Sequence, residues 1–88
     1  MTPDEAIGFA IKQARKAKGL AQEEIGASQS FVSDIERGKK SMTVQSMNAF
    51  AARLGVRPAT LVVRAALLAQ PGLSIEDLFE SVRKELEE

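Results

Sequence analysis

The residues best placed to do chemistry lie in one stretch, "SQSFVSDIERGKK", Ser28 to Lys40. It begins with hydroxyl and amide side chains and ends with two lysines. Such a set exchanges hydrogen bonds and neutralises anions, but it holds no group suited to covalent work. The chain contains neither cysteine nor histidine. Disulfides, thiolate metal sites and thiol catalysis are thereby excluded, and so are the usual general base at neutral pH and the commonest metal ligand. The paired carboxylates, Glu23/Glu24, Asp34/Glu36 and those of the acidic C-terminal end, sit on segments that read as solvated helix faces. The chain is expected to be no enzyme and to use no metal or cofactor.

Eighty-eight residues suit one domain with a workable but small core. An apolar content of 44% is that of a globular chain, which argues against wholesale disorder. No apolar run is long enough to span a membrane. The start, "MTPDEAIGF", lacks the basic-then-apolar order of a secretion signal, so a cytoplasmic location is expected. Net charge is zero but unevenly spread. Residues 1–70 carry ten Lys and Arg against six Asp and Glu, and residues 71–88 carry two against six. Such asymmetry points to nucleic-acid contact at the positive end; equally, the acidic end reads as a solvated helix face.

Every segment that could position these groups reads as helix. Thr2-Pro3-Asp4-Glu5 is a capping box with proline at the first helical position, and Ile7, Ile11 and Ala14 follow at helical spacing until Gly19. "AQEEIGA" predicts a second, poor helix: Ala21 offers no capping oxygen, Gly26 costs about 1 kcal/mol against Ala, and so short a helix cannot offset its own nucleation. Ser28 caps a third helix with Val32 and Ile35 inward and Gly38 at its end. Thr43 caps a fourth, whose inward stripe is expected to be Val44, Met47, Phe50, Ala51 and Leu54. Pro58 opens a fifth that is apolar on nearly every side and must be covered on nearly every side. After the Gln70-Pro71-Gly72 turn, Ser74 and Asp77 open a sixth, with Ile75, Leu78, Phe79, Val82 and Leu86 along one face. The expected architecture is all-α: five helices over residues 1–70, and an acidic C-terminal helix over 71–88 that packs on the fifth helix or on a dimer partner.

A helix, a short turn, and a second helix that opens with small polar residues fit the geometry of a reader of the DNA major groove. There the leading residues of the second helix meet base edges, while neighbouring helix starts and Lys or Arg meet phosphates. "SQSFVSDIERG", preceded by "KGLAQEEI" and followed by "TVQSMNAFAARLGV", closely resembles the Cro/repressor-type (lambda-repressor-like, or xenobiotic-response-element type) helix-turn-helix family over about Ile7 to Leu61.

The resemblance implies roles residue by residue. Gln29, Ser30, Ser33 and Asp34 fall where the family contacts bases, and a Gln amide can pair with adenine. Gln22, Ser28, Lys39, Lys40 and Thr43 fall at phosphate-contacting positions. Arg15 and Glu36 match the family's internal ion pair. Phe31 either touches a thymine methyl or covers volume left open by a departure from the pattern. That departure is the six-residue spacing from Gln22 to Ser28, shorter than the family's by about 4 residues, close to one helical turn. The second helix is therefore expected to shrink to about one turn, with Ile25 and Phe31 refilling the lost volume.

The apolar surface of the last two helices argues for association, with Leu61, Val62, Leu68, Ile75, Leu78, Phe79 and Val82 as the expected dimer interface. Twofold pairing would set two reading helices about 34 Å apart on duplex DNA. The expected function is a dimeric, sequence-specific DNA-binding transcriptional regulator that represses by occluding a promoter. The alternative is an antitoxin-like or adaptor module that has surrendered DNA reading and docks a protein partner on its acidic last helix.

Overall fold

The computed structural model describes all 88 residues and contains five α-helices and one short 3-10 turn: α1 Pro3–Ala17, the turn Gln22–Ile25, α2 Gln29–Glu36, α3 Val44–Leu54, α4 Pro58–Ala69 and α5 Ile75–Leu86. The helix starts are set by local chemistry. Thr2 Oγ1 accepts from the Glu5 amide at 3.1 Å, while the Thr2 amide donates to Glu5 Oε1 at 2.8 Å. These bonds hold the Glu5 carboxyl below its usual range. Their stabilisation is present above the ordinary carboxylate pKa and is lost as pH falls through the lowered one. Ser28, Thr43 and Ser74 accept from the amides of Phe31, Ser46 and Asp77 in the same way.

The second element is about one turn, as expected, but of 3-10 rather than α type. Ala21 has no side-chain cap; its backbone amide donates to Glu24 Oε1 at 2.7 Å and its carbonyl accepts from the Glu24 amide at 3.0 Å. Gly26 then adopts a left-handed conformation, with φ +91°, and ends the turn. What survives of the scaffold helix is one buried anchor, Ile25.

The core joins Ile7, Ile11 and Ala14 of α1 to Ile25, then to Val32 and Ile35 of α2, Phe50, Ala51 and Leu54 of α3, and Leu61 of α4. Two expectations are corrected here. Val44 does not belong to the inward stripe of α3; as the first residue of that helix it is 76% exposed. Leu61 does not lie at an outer surface. It is completely buried at the centre of the domain, which removes it from any dimer interface.

The outermost helix behaves differently from the rest. No residue of α5 is buried. Ile75 shares the lining of a shallow surface pocket with Thr60, Val63, Arg64 and Leu67 of α4, and Leu78 is half-buried. Ile75, Phe79, Val82 and Leu86 remain largely open to solvent. No helix is long and apolar enough to cross a membrane.

With its scaffold helix reduced to a turn, α2 is held mainly by α1. Arg15 Nε donates to Glu36 Oε2 at 2.6 Å and Nη2 to Oε1 at 3.0 Å, both residues being more than nine-tenths buried. The third guanidinium nitrogen donates to the Leu20 carbonyl at 2.8 Å. Hydrogen bonding to Glu36 raises the Arg15 pKa further above its already high ordinary value, so the cation persists at any pH the fold survives. Gln22 Nε2 donates to Glu36 Oε1 at 3.0 Å and ties the 3-10 turn into the same cluster.

Backbone proximity completes the seat. A Cβ on Gly8, in the middle of α1, would run into the Ile35 carbonyl oxygen and lie 2.9 Å from that of Glu36. Just beyond α2, Gly38 has φ +75°, and a Cβ there would lie 2.9 Å from Glu5 Cα.

Two predictions concern this seat. Replacing Gly8 by Ala in an ordinary helix would stabilise it by about 1 kcal/mol. Here Gly8→Ala is expected to lower stability by about 2 kcal/mol or more, because backbone on both sides must yield. Arg15→Met is expected to cost about 3–5 kcal/mol by stranding the buried Glu36 carboxylate, and Arg15→Met with Glu36→Leu to regain most of that loss. Urea unfolding of the single and double variants measures both.

Candidate nucleic-acid interface

The face of α2 turned away from the core is built by helical spacing. Phe31, Val32, Ile35 and Glu36 take the inner side, which leaves Gln29, Ser30, Ser33, Asp34 and Arg37 on the outer side. Gln29 and Ser30, in the first turn, are exposed, while Ser33 and Asp34 are half-buried one turn further on. The leading end of the helix therefore stands open to solvent, carrying the Gln29 amide and the Ser30 hydroxyl free to exchange hydrogen bonds.

A cationic border lies at the other end. Arg37 Nη2 is 3.7 Å from Asp34 Oδ1, and Lys40 Nζ is 3.7 Å from Asp34 Oδ2. Exposed pairs of this kind contribute at most about 1 kcal/mol, so they orient the side chains more than they stabilise the fold. Lys40 also sits over the Phe31 ring, 5.3 Å from its centroid. Lys39 beside it is exposed. Arg37 was not singled out from sequence. The available signal was its spacing, four residues from Ser33 and three from Asp34, which puts it on their face.

Phe31 takes the packing role of the two open to it. It is half-buried, its ring meets Phe50 nearly edge-on at 6.1 Å and 69°, and it lies against the core beside Ala27 and Met47. It therefore packs inward on α3 rather than standing free on the outer face.

The remaining expected positions divide. Thr43 caps α3 with its hydroxyl, accepting from the Ser46 amide at 3.0 Å and donating to Ser46 Oγ at 3.0 Å, and this helix start is exposed. Ser28 is likewise exposed, its oxygen accepting from Phe31 at 3.3 Å. The free amides and partial positive charge of these two helix starts suit an anion. Gln22 is the exception. It is half-buried, and its amide nitrogen is already bonded to Glu36. The structure gives it an internal bracing role that its matching position did not announce.

Comparison with known proteins agrees with this geometry. Residues 11–61 match the family model described as helix-turn-helix. Over 60 residues the chain is 38% identical to the uncharacterized HTH-type transcriptional regulator y4dJ of Sinorhizobium fredii, covering 64% of this chain and 78% of that protein. Among solved structures it is similar to the restriction-modification controller protein C.AhdI from Aeromonas hydrophila, with a TM-score of 0.62 and 30% identity over 65% of this chain and 92% of the other. It also superposes on the clp gene regulator ClgR from Corynebacterium glutamicum with a TM-score of 0.71 over 99% of this chain and 88% of that one; at 22% identity, this likeness speaks for the fold alone. An α2 open at its first turn and seated by Arg15 and Glu36, together with a family match over more than half of its length, makes this chain a member of the lambda-repressor-like helix-turn-helix family of DNA-binding regulators.

Proposed function

We propose that this protein is a sequence-specific transcriptional regulator of the cytoplasm that acts as a dimer and represses by occupying promoter DNA. The observation that carries the reading is the exposed first turn of α2, with the cations Arg37, Lys39 and Lys40 and the open start of α3 beside it. In this reading residues 1–70 form the DNA-binding unit and 71–88 serve assembly. Gln29, Ser30, Ser33 and Asp34 meet base edges, with the Gln29 amide suited to adenine. Lys39, Lys40, Ser28 and Thr43 meet phosphates, and Gln22 does so through the amide atoms that Glu36 leaves free. The names of the similar proteins, a restriction-modification controller and a gene regulator, are in keeping with control of transcription.

Dimerisation is supported by the apolar surface left open on α4 and α5: Val62, Ile75, Phe79 and Val82 are between 40% and 51% exposed. Leu68 and Leu78 are half-buried beside them. A twofold axis through this region would set the two copies of α2 against half-sites about 34 Å apart.

A second reading, an adaptor or antitoxin-like module docking a protein on α5, is favoured by the same uncovered face and by the zero net charge. Affinity for duplex fragments of the source genome, measured across a salt series, separates the two. The regulator reading expects preferential retention of some fragments and a linear fall of log affinity with log salt, with the slope shrinking by about one for each phosphate-contacting lysine removed. Lys39→Ala with Lys40→Ala is expected to weaken all sequences alike. Gln29→Ala is expected to relax preference at one base position by about 1–3 kcal/mol. Equal, weak retention of every fragment at low salt would overturn the regulator reading.

A further inference from the structure

Two unpartnered apolar surfaces remain on the monomer, and their shapes are opposite. One is a groove of about 380 Å³ between the start of α1, the start of α3 and one side of α4, lined by Ala6, Met47, Val62, Ala65, Ala66 and Ala69 among others. Three of its four α4 residues, Ala65, Ala66 and Ala69, are alanine, which leaves room along that wall for the side chains of an incoming helix. The other is the ridge of α5, where Ile75, Phe79, Val82 and Leu86 recur at helical spacing and stand open to solvent. We infer that the α5 ridge of one copy seats in the α1/α3/α4 groove of a second copy, reciprocally, so that each chain supplies both a ridge and a groove. This inference rests on the dimeric reading above and specifies its contact.

The occupant closest to hand, the α5 of the same chain, lies elsewhere. Residues 62, 65, 66 and 69 of α4 line the groove, whereas residues 60, 63, 64 and 67 share a pocket with Ile75 at the start of α5. At 3.6 residues per turn these sets lie on opposite sides of α4. Only residues 70–74 join the two helices, and they are drawn into a turn in which the Leu73 amide donates to the Gln70 carbonyl at 2.9 Å. So connected, the chain leaves α4 on the side away from its own groove, and its own ridge does not fill that groove.

Size and charge favour a second copy. Phe79 and Val82 are large knobs for the small side chains of the α4 wall, and ridge into groove is the ordinary mode of helix packing. The positive balance of residues 1–70, ten cations against six anions, favours the approach of the acidic 71–88 segment of a second copy, although the charged residue lining the groove itself is Asp4. At the mouth of the groove Asp4 already accepts from Ser41 Oγ at 2.9 Å. Arg83, which follows Val82 and lies one turn beyond Phe79, borders the ridge and offers that carboxylate a cation. Reciprocal seating is isologous, the commonest closed symmetry.

The chain contains no cysteine, so introduced thiols report contacts without background. Phe79→Cys and Ala66→Cys proteins are mixed without DNA and oxidised, and the products are sized under denaturing, non-reducing conditions. The expected result is a mixed covalent dimer in excess of either self-linked species. A Phe79→Cys protein that mainly links to itself would overturn the inference in favour of ridge-on-ridge pairing and leave the dimeric regulator intact. A double variant that closes within one chain would overturn it in favour of self-occupancy. Independently, Val62→Glu on the groove wall is expected to weaken self-association, followed by sedimentation, by at least about a hundredfold through burial of an unpaired charge, with the thermal unfolding of the monomer retained. A Val62→Glu protein that remains as dimeric as the parent would equally overturn the inference. Retention of single half-site DNA by either form tests the DNA reading separately.

Discussion

Everything on the outer face of α2 depends on a buried ion pair. Arg15 and Glu36 sit where a charge alone would be costly, and they are tolerable together because the guanidinium engages both carboxylate oxygens and the Leu20 carbonyl, while Gln22 takes a further lone pair. The pair is not needed for cohesion; apolar residues could fill the same volume. Its value is directional. A planar guanidinium bonded at three points permits one register of α2 against α1, and Gly8 and Gly38 let the two backbones close around it. In a fold whose scaffold helix has shrunk to four residues, that constraint replaces much of the positioning a longer helix would supply.

The shortened element also explains why Phe31 faces two ways. Its ring closes the interior against Phe50, and its outer surface carries Lys40. The same side chain thus transmits the packing of α3 to the position of a surface cation. Core and interface are less separable here than in a domain with a full second helix, because one residue belongs to both.

Much of this was legible from the sequence because helix boundaries are written in short-range chemistry. Thr2, Ser28, Thr43 and Ser74 all act as the caps their types suggest, and the poor cap at Ala21 with Gly26 close behind foretold a stunted element. The Arg15–Glu36 pair and the exposed lead of α2 followed from the family pattern. Periodicity alone failed where a helix has more apolar positions than the core can use. Val44 continues the stripe of α3 but occupies its first position, beyond the reach of the core, while Leu61 is the one residue of apolar α4 that is fully buried. Gly8 was legible in principle: a glycine inside a strong helix is unfavourable unless another backbone comes close. Gln22 was not, since its partner lies fourteen residues away, across a turn whose geometry depends on the missing helical turn.

The carboxylate of Asp34 carries a consequence of its own. In the free protein each of its oxygens faces a cation, Arg37 on one side and Lys40 on the other. One acid thereby offsets two of the cations bordering α2, through pairs weak enough for a stronger anion to displace. In the DNA complex proposed above, a phosphate that claimed both cations would free this carboxylate, an acceptor suited to the amino group of a cytosine rather than to the oxygen and nitrogen edge of a guanine. Docking would then unmask a discriminator that the resting molecule keeps occupied.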